Sequence, residues 1–256
     1  MHPALPPTLR ALLQEHRGEF LFGHTAPDVQ TVSGQRREAT HFFALPFQFD
    51  APPPWKRLLE QYPELAQAEK PVSQKIFLSG YLCHLQADWL WVRDIFAPVF
   101  GPFCLWSSFE HRLYLHNVLR AYLDRQVLPT LPADVGQVMQ AARPAGWLPF
   151  ASDHFLCRWR DELAGQLEPG ATVRTVEFFA AQQKIEPARF YDLLQSESRM
   201  NQEIFGRLPR YRLDRYRQQL LDENLRLLQS YLWPSAAPLA AANTVSLVGS
   251  SVERFL

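Results

Sequence analysis

The chain has 256 residues, and its 26 basic and 26 acidic side chains cancel. That length suffices for one main domain with a substantial core, while the lack of any Lys/Arg-rich run excludes nucleic-acid binding of the usual electrostatic kind. No apolar stretch approaches the roughly 20 residues of a membrane span.

Cys83, Cys104 and Cys157 are odd in number, lie in apolar surroundings and show no CxxC spacing, so they read as core thiols in a reducing compartment. The start, Met1-His2-Pro3-Ala4-Leu5-Pro6-Pro7, has neither a basic segment nor a continuous apolar run, and no signal peptide is expected. Together these point to a cytoplasmic location.

Pro7 to Gly18 has proline at its start, leucines at helical spacing and glycine at its end, the punctuation of a short helix. His16 on its last turn reads as a surface histidine favoured by the helix dipole. Phe20 to Val29 is an apolar turn that breaks at Gly23 and again before Pro27, which puts Asp28 on a fixed loop. Taken alone, Asp28 reads as a helix N-cap. After the polar segment Ser33 to Glu38 the chain becomes apolar at Thr40-His41-Phe42-Phe43. A lone His41 among phenylalanines is more often a core histidine bonded to backbone than a ligand.

Residues 46 to 71 carry six prolines around Trp55 to Tyr62, consistent with loop, short helix and loop. A long helix follows from near Val72 to near Phe96, closed by Pro98 and Pro102. Its Phe77, Gly80, Tyr81, His84, Asp88, Trp91 and Ile95 share one face. On that face His84 and Asp88 stand four residues apart, roughly 40° and 6 Å from one another, and can converge on one point. A metal ion and a hydrogen-bonded pair on a core face are equally good readings of that spacing. Gly80, one turn earlier, costs about 1 kcal/mol against alanine inside a helix and marks a close approach by something else.

Trp106 to Asp124, Asp153 to Leu167, Thr172 to Gln183, Pro187 to Ser198 and Pro209 to Trp233 each show helical periodicity, and little alternates with period two. The fold class is therefore all-α, a single helical domain over residues 1–233. From Pro234 to Leu256 the composition shifts to Ala, Ser, Val and Pro without period, as in a mobile tail or one docked on a partner.

Asp28, His41, His84 and Asp88 make a set of two imidazoles and two carboxylates, a common zinc-type donor list. The order G-x-x-A-P-D (Gly23 to Asp28), T-H-F (Thr40 to Phe42) and G-Y-L-x-H-L-x-x-D (Gly80 to Asp88) resembles the zinc-dependent phospholipase C family, distantly related to fungal single-strand nucleases. The resemblance covers roughly residues 5–125 and leaves a helical extension over about 150–233. It implies a multi-helix bundle in which Asp28, His41, His84 and Asp88 hold one zinc ion, with Asp88 able to bridge to a second.

Two departures stand against it. The family's N-terminal tryptophan ligand is missing, since the chain begins Met1-His2-Pro3. The family's later H-x-x-x-E helix corresponds to Glu110 to Arg120, where Leu115 and Arg120 stand four residues after His111 and His116, and neither is a carboxylate. His111 and His116 are about 140° apart on a helix and cannot easily share one metal. His116 reads as an acid or ligand, or more often as a polar bundle position. Arg120 is placed to bind a substrate phosphate in place of the lost cation.

The leading expectation is a metal-dependent hydrolase of the phosphodiesterase or phospholipase C-like type, acting on a small-molecule or lipid phosphoester, with Asp28, Asp88, His116 and Arg120 as catalytic candidates. The alternative is a catalytically degenerate helical scaffold or binding protein that keeps a structural metal. A third class, the HD-type phosphohydrolases, needs an adjacent His-Asp pair, and this chain has only the reversed Asp153-His154.

Overall fold

The structure, a computed structural model, describes residues 4–45, 50–67 and 69–233; the tail expected over 234–256 lies outside them. Among the described residues every regular element is helical. Thirteen α-helices follow one another: α1 (Pro7–Glu15), α2 (Arg17–Gly23), α3 (Gln30–Ser33), α4 (Glu38–His41), α5 (Pro54–Gln61), α6 (Val72–Trp91), α7 (Phe109–Val127), α8 (Val135–Gln140), α9 (Asp153–Gln166), α10 (Thr175–Gln183), α11 (Pro187–Leu194), α12 (Glu197–Met200) and α13 (Arg210–Leu232). None of them is long and apolar enough to cross a membrane.

The elements follow from local chemistry. Proline opens α1, α5 and α11, where its fixed φ suits the first turn and its missing N–H is not needed. Ser108 caps α7 by accepting from the backbone N–H of His111 at 3.1 Å. The helix expected to stop near Phe96 does not stop there. It widens into a π-helix over Val92–Phe100 that carries Pro98 inside it. A wider turn accommodates a residue without an N–H better than the α spacing does.

The apolar residues gather in two clusters. The first unites α1, α2, α5, the first two-thirds of α6, α9 and the end of α13, with Phe22, Phe77 and Tyr81 wholly buried. The second unites the π-helix, α7 and α10 to α12 around Phe100, Leu119 and Phe190. Two elements run through both. The α6 helix passes from the first cluster into the π-helix of the second, and α13 contributes Leu213 to the second and Leu227 and Leu228 to the first. They are tied side by side, Tyr216 donating to the carbonyl of Ala87 at 3.1 Å and Gln86 to Glu223 at 2.5 Å.

The close approach foretold at Gly80 is the backbone of α2. A Cβ on Gly80 would lie 2.3 Å from the carbonyl oxygen of Phe20 and 3.0 Å from the amide nitrogen of His24. A Cβ on Gly23 would in turn lie 2.0 Å from the carbonyl oxygen of Phe77. Two glycines thus let α2 and α6 touch main chain to main chain, and the loop leaving α2 falls beside the His84 turn of α6.

Candidate metal centre

Four segments converge where α6 leaves the first core. The chain turns out of α2 at Gly23 and enters a 3-10 turn, Ala26–Val29, which holds Asp28. This turn is fixed from outside by Trp159 of α9, whose indole N–H donates to the carbonyl of Thr25 at 2.7 Å. Asp28 is not a helix cap: α3 begins after Val29 and has no side-chain cap. His41 ends α4, and Phe42 behind it takes the left-handed conformation at φ 61°. That conformation is costly for a side chain of this size. Phe42 is held in it by burial against Tyr62 and Phe150.

Asp28, His41 and His84 each offer one ligand atom, and these atoms lie within 4.8 Å of one another. The Nε2 atom of His41 is 3.4 Å from an Asp28 carboxylate oxygen. Both imidazoles are oriented through their other nitrogen. His84 Nδ1 donates to the carbonyl oxygen of His24 at 2.6 Å, which fixes its tautomer and leaves a lone pair on Nε2. His41 Nδ1 lies 3.0 Å from the Thr40 hydroxyl, and the Thr40 carbonyl accepts from the buried Tyr81 phenol at 2.5 Å. The two Nε2 atoms that remain are buried without a hydrogen-bond partner. Orphaned buried nitrogens are rare, and two within 4.8 Å of one carboxylate fit a cation. Zinc's preference for nitrogen and oxygen donors fits this set.

The electrostatics agree. Burial lowers the pKa of His41, and nearby Arg37 adds to the effect against Asp28 and Asp88, which favours the neutral form that ligates. Burial pushes the Asp28 carboxyl up, but the contact with His41 and the charges of His84, His41 and Arg120 outweigh it and hold the group well below the usual carboxylate range. His24, whose carbonyl supports His84, is lowered to about 4, first by burial and then by His84.

Asp88 stands at the edge of this group. Its carboxylate is 3.5 Å from His41 Nε2 and 3.9 Å from His84 Nε2. Its short contact is the salt bridge to Arg37, whose guanidinium also lies 4.6 Å over the Phe43 ring. The His84–Asp88 separation is too long for the hydrogen-bonded pair that the i, i+4 spacing allowed.

The remaining candidates lie elsewhere. His116 sits in the second core against Trp91, Phe96 and Phe100 and accepts from the Trp91 indole at 2.9 Å. Burial, and then Arg120, lower its pKa to about 3. His111 packs against Trp106 and Tyr114. Arg120 is exposed, 4.6 Å over the Phe179 ring, and its charge reaches Asp28, His116 and Asp124. Nothing in the sequence pointed to Arg37 or the His24 carbonyl, and Thr40 stood out only as the first residue of the T-H-F element. Tyr81 was visible in the α6 stripe but only as an apolar residue.

The fold and site define an all-helical protein with a candidate His/Asp metal centre. No family model matches the chain, and no curated protein or solved structure matches it either.

Proposed function

We propose that this chain is a metal-dependent hydrolase of phosphodiester bonds, built as a helical bundle of the zinc-dependent phospholipase C type. The convergence of the Asp28 carboxylate with two buried, unpartnered imidazole nitrogens carries the reading. Asp28, His41 and His84 would hold the ion, which when bound supplies Lewis acidity and brings the pKa of a water to about 7. The chain's own residues do the rest. Asp88, within reach of both imidazoles, accepts a proton from an attacking water or orients it. Arg120, whose charge already acts on Asp28, offers a planar pair of donors to a phosphate oxygen. His116, lowered to about 3 and enclosed by aromatic rings, is neutral at physiological pH and keeps the second core in register through Trp91.

One observation favours a second reading. Arg37 pairs with Asp88, and among the described residues Asp28, His41 and His84 are the only group of three that can hold an ion. A single site of this kind also suits a helical scaffold with a structural metal.

Metal analysis of the purified protein beside His84→Ala, followed by hydrolysis assays over phosphodiester and phosphatidyl substrates, separates these outcomes. Bound zinc that is lost in the variant, together with turnover, supports the hydrolase. Metal without turnover across the panel supports the scaffold. A chain that purifies without zinc, iron or manganese and takes up none overturns both.

A further inference from the structure

The loop between the π-helix and α7 exposes apolar side chains that folding gives no reason to expose. Phe103 is 98% and Leu105 91% accessible, and Phe109 at the start of α7 is 58% accessible. The loop is nevertheless well pinned. Between the two exposed residues, Cys104 turns inward with its Sγ 3.3 Å from the carbonyl oxygen of Pro98. Trp106 stacks on Phe100 at 5.6 Å and 9°, and its indole N–H donates to the carbonyl of Val99 at 2.7 Å. Residues 103 and 105 therefore point outward because 104 and 106 are anchored inward.

Two guanidinium groups surround the base of this loop. Arg207 lies 4.0 Å over the Trp106 ring and donates to the carbonyl of Leu105. Arg112 lies 5.0 Å over the Phe109 ring and donates to the carbonyl of Gly101 at 2.7 Å. Among the described residues neither takes part in an ion pair with a carboxylate. The nearest acidic side chain along the loop, Glu110, accepts from its own backbone amide and from Ser108, which lower its pKa and favour the ionised form, and it pairs with neither arginine. The result is an apolar tip above two arginines that make no direct ion pair, with the single carboxylate of Glu110 beside them.

We propose that this loop is a docking surface for an anionic phospholipid bilayer, with Phe103, Leu105 and Phe109 entering the interface and Arg112 and Arg207 meeting lipid phosphates. A bilayer presents that layering, phosphate above hydrocarbon, and the amphipathic arginine stems suit the boundary between them. A second copy of this chain fits less well, because a two-fold contact through the same patch sets arginine against arginine. No residue of the metal centre takes part, so the proposal stands or falls apart from the hydrolase reading.

The test is co-sedimentation of the purified protein with vesicles of phosphatidylcholine alone and of phosphatidylcholine mixed with phosphatidylserine. A Phe103→Ser/Leu105→Ser double variant is run in parallel, with circular dichroism and metal content as controls. Stronger binding to the mixed vesicles, weakened at least about tenfold in the variant and reduced by salt, with fold and metal content unchanged, is the expected result. No sedimentation with either vesicle, equal binding by wild type and variant, or no preference for the anionic vesicles overturns it. So does a concentration-dependent dimer that the double variant abolishes, which would assign the surface to a second copy.

Discussion

Gly80 on α6 and Gly23 on α2 meet with no side chain between them, a Cβ on Gly80 falling 3.1 Å from the Cα of Gly23. This contact carries the His24 carbonyl to His84, and so the orientation of one candidate ligand depends on a glycine one turn away. Gly80→Ala forces its methyl against the Phe20 carbonyl at 2.3 Å, a backbone atom that can yield only if the helices part. The variant is expected to lose about 1–3 kcal/mol of stability by urea denaturation. It should also bind zinc more weakly by calorimetry. A variant that loses stability but keeps full zinc affinity would separate the glycine contact from the metal centre.

His84→Ala distinguishes a metal ligand from a core histidine. In metal-free protein the substitution removes a buried nitrogen that has no partner, so little stability is lost through hydrogen bonding beyond the bond to the His24 carbonyl. With zinc present, the wild type gains stability by mass action, about 2.7 kcal/mol at a hundredfold excess over Kd, and the variant does not. Thermal melts with and without zinc read the difference directly. Equal zinc-induced shifts in the two proteins would remove His84 from the site.

Most of the helices of this architecture, in both halves of the chain, were legible because helices announce themselves by period and punctuation. The α6 face, the break at Gly23 and the proline-opened helices all followed from local sequence. The π-helix did not, because Pro98 reads as a terminator unless tertiary packing, here the burial of Ile95, Val99 and Phe100 in the second core, carries the chain past it. Asp28, His41 and His84 were readable as ligand types. Arg37 was not, since its salt bridge to Asp88 joins residues 51 positions apart and nothing in the polar run around it points to α6. The i, i+4 spacing of His84 and Asp88 showed that they share a face, whereas which partner each takes was decided by α2 and by the segment before α4.

Removing Arg37 should strengthen metal binding. Its charge lies beside His41 and occupies Asp88, so it opposes a cation and withholds a carboxylate. Arg37→Ala is expected to improve zinc affinity by on the order of 1 kcal/mol, several-fold in Kd, and Asp88→Asn to weaken it. Competition titrations with a chromogenic chelator measure both. Weaker binding in Arg37→Ala would mean that the salt bridge chiefly positions Asp88 and the segment before α4.

Tyr81→Phe tests the support behind His41. The phenol donates to the Thr40 carbonyl at 2.5 Å in a wholly buried position. Its removal leaves that carbonyl without the bond, at a cost of about 1–3 kcal/mol. Because Thr40 also contacts the His41 ring, zinc affinity should fall with stability. Unchanged affinity in a destabilised protein would show that the left-handed turn at Phe42 alone sets the His41 position.

His116 makes the second core sensitive to acid. Its folded pKa is lowered to about 3 by burial and Arg120, below the ordinary value of 6.5. Between these values the unfolded chain binds a proton that the folded chain does not, so stability is full above about pH 6.5 and declines as pH falls toward about 3. His24, lowered to about 4, adds a decline over the upper part of the same window. Urea midpoints should therefore fall between pH 7 and pH 5. His116→Gln, whose amide oxygen can still accept from the Trp91 indole, should start less stable yet show a shallower fall. If the two proteins lose stability in parallel over that interval, the His116 ring is already accessible to protons in the folded state, and the aromatic enclosure formed by Trp91, Phe96 and Phe100 opens faster than its burial implies.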